Sequence, residues 1–223
     1  MSDALARQVA AAGHEVLVLA AAYRDAPAEE ERDGFRIVRL PSFALTSKIA
    51  FNYDIPVTAS PKNVRRVFRL LDEFDPDVVH QHGQFFDLTW MSSVWARRRR
   101  VPTVLTVHTR FQSPFRMHAA AMRVADYLVV RPFVRLGRPY VVPVDVFVHE
   151  YVTQRFGIRG DRVIDIPVGI EVARFRATDR PVMRQRLGIG DHPMLLSAGM
   201  SSRFETGSRW STRCPSSSRN TRS

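Results

Sequence analysis

Apolar and polar positions along the chain alternate between two periods, and the changes of period mark the elements. Residues 3–12 set Leu5, Val9 and Ala12 on one helical face, and Gly13 suits the position just past a helix end. Glu15 to Ala21 reads as a buried strand. A polar loop rich in Glu and Asp follows, and Phe35 to Leu40 alternates as a second strand. Ser60-Pro61 supplies an N-cap and a first-turn proline for a helix whose apolar stripe is Val64, Val67, Phe68 and Leu71, with Arg65, Arg66 and Arg69 outward. Asp77 to Gln81 reads as a strand, and 86–99 as a helix with Leu88, Met91, Val94 and Trp95 inward. A strand over 103–107 precedes a helix over 115–130 stopped by Pro132, and 131–143 reads as irregular. Val144 to Val148 is strand-like, Glu150 to Phe156 helical with Gly157 closing it, and Val163 to Ile166 a further strand.

Strands that alternate with helices predict an α/β fold: a doubly wound, mainly parallel, Rossmann-like sheet. The two ends of the pattern are unusual. The chain opens on a helix, whereas a βαβ unit opens on a strand, and in a doubly wound sheet that strand is central; without it, backbone polar groups in the core lack partners. At the other end Met194 to Ala198 begins a strand, and residues 200–223 then turn rich in Ser, Arg and Thr with no period. Read in a frame shifted by two, permissible codons for 208–223 spell an amphipathic helix. The expectation is that 200–223 is frame-shifted translation and a disordered tail.

Composition narrows the class. With 45% apolar and 25% charged residues among 223, the chain is globular. No apolar run approaches the roughly 20 residues that span a bilayer. Gly13-His14-Glu15 interrupts the apolar run that a signal peptide requires. Cys214 is the sole cysteine, so no intrachain disulfide forms, and a reducing cytoplasm is the default. The net charge of +11 suits an anionic partner: nucleic acid, a phospholipid surface or a phosphorylated substrate. Residues 200–223 hold five Arg and one Glu, so +4 of it lies there.

Candidate chemistry collects at strand ends. His80, His82, Gly83 and Gln84 close one apolar segment, and Thr106, His108, Thr109 and Arg110 close the next. In an open parallel sheet, ligands bind outside the carboxyl ends of the strands. A neutral imidazole there can bond a sugar hydroxyl or move a proton. The alternative is a hydrogen-bonded core role for His80 and a loop-shaping role for His82. His80 and His82 also form H-x-H on one strand face, a spacing of metal hydrolases, with His108, Asp87, His118 or His149 as the remaining ligands. Gly188-Ile-Gly190 lacks the third glycine and helix of a dinucleotide site and reads as a linker turn. Arg97 to Arg100, after Trp90 and Trp95, is either an anionic-surface patch or a solvated helix end, and the second reading is the simpler.

Four segments occur in order: Gly13-His14-Glu15-Val16, Asp77 to Gly83, Pro102 to Thr109, and Ile166-Pro-Val-Gly169-Ile-Glu171. Together, over about residues 3–199, they resemble the N-terminal half of family-4 retaining glycosyltransferases of the GT-B fold. The resemblance implies two Rossmann-like domains facing across a cleft, an acceptor on the N-terminal one and a nucleotide-sugar on the other. Transfer there retains anomeric configuration and needs neither bound metal nor cofactor beyond the donor. His108 matches the cleft histidine near the transferred sugar, and His82-Gly83-Gln84 the neighbouring wall; with Thr109 and Arg110 they are the expected site. The resemblance divides the chain at 1–176, 177–199 (linker and first strand of a second domain) and 200–223. It places the family's first strand and Gly-Gly loop before Met1. Val168 stands where Asn is usual, and His149 where Ser opens a helix. No counterpart of the family's Arg/Lys and Glu pairs for diphosphate and sugar appears, so the chain alone is expected to be inactive. The implied setting is cytoplasmic, with peripheral contact at the inner face of the plasma membrane. Two other classes remain: a metal-dependent hydrolase using His80 and His82, and a basic module binding anionic lipid or nucleic acid.

Overall fold

Ser60 shows how local sequence starts an element in this protein: its hydroxyl accepts the amide hydrogen bond of Asn63 at 3.1 Å, and Pro61 opens helix α2 (Pro61–Phe74). The structure is a computed structural model that describes residues 2–22, 25–45, 55–110, 116–167, 169 and 180–188. The chain divides into two units, Met1–Val168 and Gly169–Ser223. The expected strand at 194–198, the Gly190 end of the linker turn, and the tail 200–223 lie outside the described residues.

In the first unit, helix α1 (Ser2–Ala11) leads through Gly13, at φ +92°, to β1 (Leu17–Ala21). Ala6 is the buried residue of α1 and Ala12 is exposed, so the inward face is rotated from the one the spacing suggests. β1 pairs parallel to β3 (Phe35–Leu40). The Glu-rich segment is not a loop: β2 (Glu29–Arg32) forms an antiparallel hairpin with β3. The Asp33-Gly34 pair, at φ 52° and 79°, makes the left-handed turn that such a hairpin needs. The acidic side chains of this hairpin are used by arginines, Glu29 by Arg36 and Arg66, Glu30 by Arg39. A short pair, β4 (Phe43–Leu45) with β5 (Ile55–Val57), is antiparallel.

The second sheet is all parallel, in the order β6 (Val79–His82), β7 (Thr103–Val107), β8 (Tyr140–Pro143). Helix α3 (Asp87–Arg99) joins β6 to β7. It buries Met91, Trp95 and Ala96 in a cluster with Val67 and Leu71 of α2 and Leu40 of β3. Leu105, Val107, Val141, Val148, Val152 and Phe156 belong to a separate core on β7 and β8. The expected doubly wound sheet is therefore present as two parallel-bearing pieces; among the described residues no strand joins β1 to β6. β1 is half-buried along its length, not buried as its apolar run suggests, because among the described residues it has one strand neighbour where a central strand has two.

Three expected boundaries move. Pro132 does not stop the helix: α4 (Arg116–Ala125) continues through a π-helical stretch, Asp126–Val130, into α5 (Arg131–Gly137). The wider π turn shifts the hydrogen-bond register just where proline lacks its N–H, so the ring fits. The strand expected at 144–148 is β8 instead, ending at Pro143, and Asp145 then caps α6 (Val146–Tyr151) by accepting from the Val148 amide at 2.7 Å. His149 thus lies inside that helix and does not open it. The strand expected at 163–166 amounts to one bridge, Val163 to Val141. In the second unit the described element is α7 (Arg180–Arg186), where a linker was expected.

Candidate functional site

The parallel pairing of β6 with β7 sets His80 beside Val104 and His82 beside Thr106. Alternation along a strand then puts His80, His82, Thr106 and His108 on one sheet face, and Gln81, Leu105 and Val107 on the other. The hidden face is satisfied internally. Gln81 donates through Nε2 to Thr89 O and to the hydroxyls of Ser92 and Ser93 on α3. These four polar side chains are buried, so their mutual bonds fix α3 on β6 and hold the strand end in place.

On the open face the imidazoles form a stack. The rings of His80 and His82 are 4.4 Å apart between centroids, and those of His82 and His108 are 5.4 Å apart and near parallel. His82 Nδ1 lies 3.1 Å from His108 Nε2, a hydrogen bond with one donor and one acceptor. His80 Nε2 lies 2.8 Å from Thr106 Oγ1. His80 is exposed rather than a core histidine. The loss of water around the packed rings lowers the pKa of all three, that of His82 to about 4, with His80 and His108 adding repulsion there. All three are therefore neutral at neutral pH. The mutual bond leaves His82 Nε2 and His108 Nδ1 without another bond among the described residues.

The turn after His82 depends on glycine. Gly83 has φ +82°, and a Cβ there would stand 2.7 Å from a ring carbon of Phe86. Its N–H donates to Thr106 O at 2.9 Å, which ties the end of β6 to β7, and its carbonyl accepts from Thr89 Oγ1 at 2.8 Å. Gly83→Ala is expected to destabilise the chain by about 1–2 kcal/mol, read from urea unfolding, and to shift the His82 and His108 ring signals in NMR.

Gln84 follows, 1% exposed, and donates from Nε2 to Thr109 O at 2.8 Å. It braces the His108–Thr109 segment from beneath. Trp90 does the same for Gln84, its indole N–H donating to Gln84 O at 2.9 Å. Thr109 is exposed, and the Arg110 guanidinium lies over the Phe147 ring of α6 at 4.6 Å. His82, Gly83, Gln84, His108 and Thr109 thus meet at the carboxyl ends of β6 and β7, while Arg110 turns to α6. Sequence reasoning missed Thr106 as a partner of His80 and Thr89 as the clasp on Gly83. A hydroxyl two residues before a strand-end histidine was the available signal for the first.

The other proposed metal ligands are engaged elsewhere. Asp87 accepts from Thr58 and Ala59 amides, the Thr58 hydroxyl and the Leu88 amide. His149 bonds Asp165 at 2.8 Å, and the His118 side chain lies outside the described residues. Among the described residues no group of three His, Cys, Asp or Glu side chains is arranged to hold a metal ion. The tryptophans before Arg97 to Arg100 point inward: Trp95 is 2% exposed and donates to Asp72, and Trp90 stacks on Phe133. The arginine run is the solvated end of α3, with Arg99 paired to Asp72.

The depressed imidazole pKa values carry a pH signature. A histidine whose folded pKa lies below its unfolded value of 6.5 contributes stability that is complete above that value and lost as pH falls toward the folded one. Stability is therefore expected to drop by about 1–2 kcal/mol between pH 7 and roughly pH 4, allowing for solvent screening of these half-open rings. Urea midpoints across that range measure it, and His82→Gln should flatten the slope.

None of the curated proteins matches this chain significantly. A crystal structure of a glycosyltransferase from Rickettsia africae ESF-5 superposes with a TM-score of 0.53 at 13% identity, over 84% of this chain and 45% of that one. The likeness shows the fold, and this chain spans less than half of that protein. The family described as the glycosyl transferase 4-like domain matches residues 2–169. On that match, which covers most of the sequence and all of the histidine site, the chain belongs to the glycosyl transferase 4-like domain family.

Proposed function

We propose that this chain is the acceptor-side half of a retaining glycosyltransferase that moves a hexosyl group from a nucleotide-sugar to an acceptor. One observation carries the reading beyond family membership: neutral, mutually bonded imidazoles at the ends of adjacent parallel strands, beside a turn that the Phe86 ring restricts to glycine. His108 orients the acceptor hydroxyl or relays its proton, and His82 sets the His108 tautomer through the bond between them. Thr109 adds a hydroxyl at the same edge, and Arg110, with the general basic charge, favours an anionic group on the donor or acceptor. Gly83 and Gln84 position the wall and do not reach substrate themselves. No resident metal or cofactor is part of this scheme. The setting is cytoplasmic, with peripheral contact at the inner membrane face.

By this reading the chain binds acceptor through the histidine edge, and no turnover of a nucleotide-sugar is expected from it alone. The test is saturation-transfer NMR of the chain against a panel of simple glycosides, with a turnover assay beside it. Binding is expected, and His82→Ala and His108→Ala are each expected to weaken it about tenfold, the scale of one or two lost neutral hydrogen bonds. A panel that binds equally well to both variants, or turnover by the chain alone, would overturn the respective part of the reading.

A further inference from the structure

The helical segment from Arg116 to Gly137 is apolar on two sides. Met122, Val130 and Val134 point into the core. On the outside Met117 is 85% exposed, Leu128 66%, Tyr127 60% and Val124 56%. Positions 117, 124 and 128 are seven and four residues apart, so they form one row along the helix. A helix that is hydrophobic all round is normally enclosed, by protein or by lipid. This one has its outer row in water.

The charges beside the row are of one sign. Arg116 and Arg123 are exposed and Arg131 is half-buried, its guanidinium 4.6 Å from the centre of the Tyr127 ring. None of the three forms an ion pair among the described residues. Some arginines elsewhere in the unit are neutralised, Arg7 on Asp3 and Asp33, Arg36 and Arg66 on Glu29, Arg39 on Glu30, and others such as Arg97 and Arg98 are not. What sets this face apart is that its arginines without an ion pair among the described residues flank an exposed apolar row. Asp126, the acidic residue within the helix, is 3% exposed and bonded to Tyr151, so it does not offset them at the surface.

We infer that the outer face of Arg116–Leu128 is the surface by which this chain docks on an anionic lipid bilayer. Met117, Val124 and Leu128 enter the boundary between headgroups and acyl chains, Tyr127 lies at headgroup depth, and the three guanidinium groups bond lipid phosphates. Charge decides between occupants. A two-fold dimer through this face would set each arginine rim against itself. Nucleic acid would satisfy the arginines and leave the aliphatic row in water. The tryptophan-arginine run at 90–100 is not this surface, because its indoles are turned inward. The inference rests on the peripheral-membrane element of the proposed function and is independent of sugar transfer.

The experiment is co-sedimentation of the full chain with vesicles of phosphatidylcholine alone and of phosphatidylcholine mixed with phosphatidylglycerol. Binding to the mixed vesicles is expected, with little to the neutral ones. Val124→Ser and Leu128→Ser are each expected to weaken it about tenfold. Arg116→Gln, Arg123→Gln and Arg131→Gln are expected to weaken it about fivefold apiece. Arg97→Gln and Arg98→Gln should leave it unchanged. The aliphatic positions are on the surface, so their variants keep the wild-type unfolding midpoint. Equal binding to neutral vesicles, indifference to Val124→Ser and Leu128→Ser, loss of binding in the Arg97 and Arg98 variants, or a dimer in lipid-free buffer that the same substitutions dissolve would each overturn the assignment. Because no sugar is present, such a result leaves the acceptor reading standing, and failed acceptor binding leaves this one standing.

Discussion

Replacing Asp87 by alanine is expected to destabilise the chain by about 3 kcal/mol, the sum of several charge-assisted bonds in a partly buried site. The carboxylate gathers the backbone amides of Thr58, Ala59 and Leu88 and the hydroxyl of Thr58. Thr58 is 2% exposed, so its amide would have no water in place of the lost acceptor. Asp87 also stands in the first turn of α3, where a negative charge offsets the helix dipole. Thr58 O and Pro41 O both accept from Asn63 Nδ2 at the start of α2, so the loss spreads to the joint between α2 and α3. The measurement is urea unfolding of both proteins. Asp87→Asn separates the two contributions: it can keep an acceptor but not the charge, and about half the loss should return. A change below roughly 1 kcal/mol in the alanine variant would show that the segment around Thr58 rearranges freely.

Tyr151→Phe is expected to cost about 2–3 kcal/mol at neutral pH, the penalty for leaving a buried carboxyl group short of a hydrogen-bond partner. The Tyr151 hydroxyl donates to Asp126 Oδ1 at 2.8 Å inside the core of β7 and β8, with the Phe156 ring edge-on at 5.1 Å. Burial raises the Asp126 pKa, and the bonds from Tyr151 and the field of Arg155 hold it back. A carboxyl raised in this way adds stability at low pH that is lost as pH rises through its folded value. Removing the hydroxyl lifts the pKa further, so the penalty should shrink as the medium is made acidic. Thermal unfolding of both proteins at about pH 7 and about pH 5 tests this. An equal gap at both values would mean that Asp126 is already protonated in the native protein. The Gln84 amide lies beside the same hydroxyl, and its Oε1 is buried without a hydrogen bond among the described residues. Ring signals of His108 should therefore shift in Tyr151→Phe, because Gln84 braces Thr109.

Much of the scaffold was legible in the residue pattern. β3 and β7 fall where alternation and apolar runs place them, and α2 begins at Ser60-Pro61 because both residues act locally. Errors cluster where a partner decides. Glu29–Arg32 is too polar to declare itself a strand, but β3 and the arginines of β3 and α2 supply the bonds and charges that make it one. Pro132 reads as a stop, and the π-helical stretch before it removes the conflict. The Val-rich run around residue 145 was misread because period alone does not show that Asp145 faces the Val148 amide.

The sequence by itself determined that this is an α/β protein with histidines at the ends of successive strands, since periodicity and strand-end polarity are properties of neighbours along the chain. It also carried the family, through short segments in order. Only the tertiary structure decided that His82 and His108 share a hydrogen bond, that Gln84 faces inward, and that Arg116, Arg123 and Arg131 border an exposed apolar row on the 116–137 helix. Those outcomes depend on strand register, on which side of a helix is covered, and on where carboxylates end up in space. A shift of one residue in register would have put both histidines on the hidden face of the sheet.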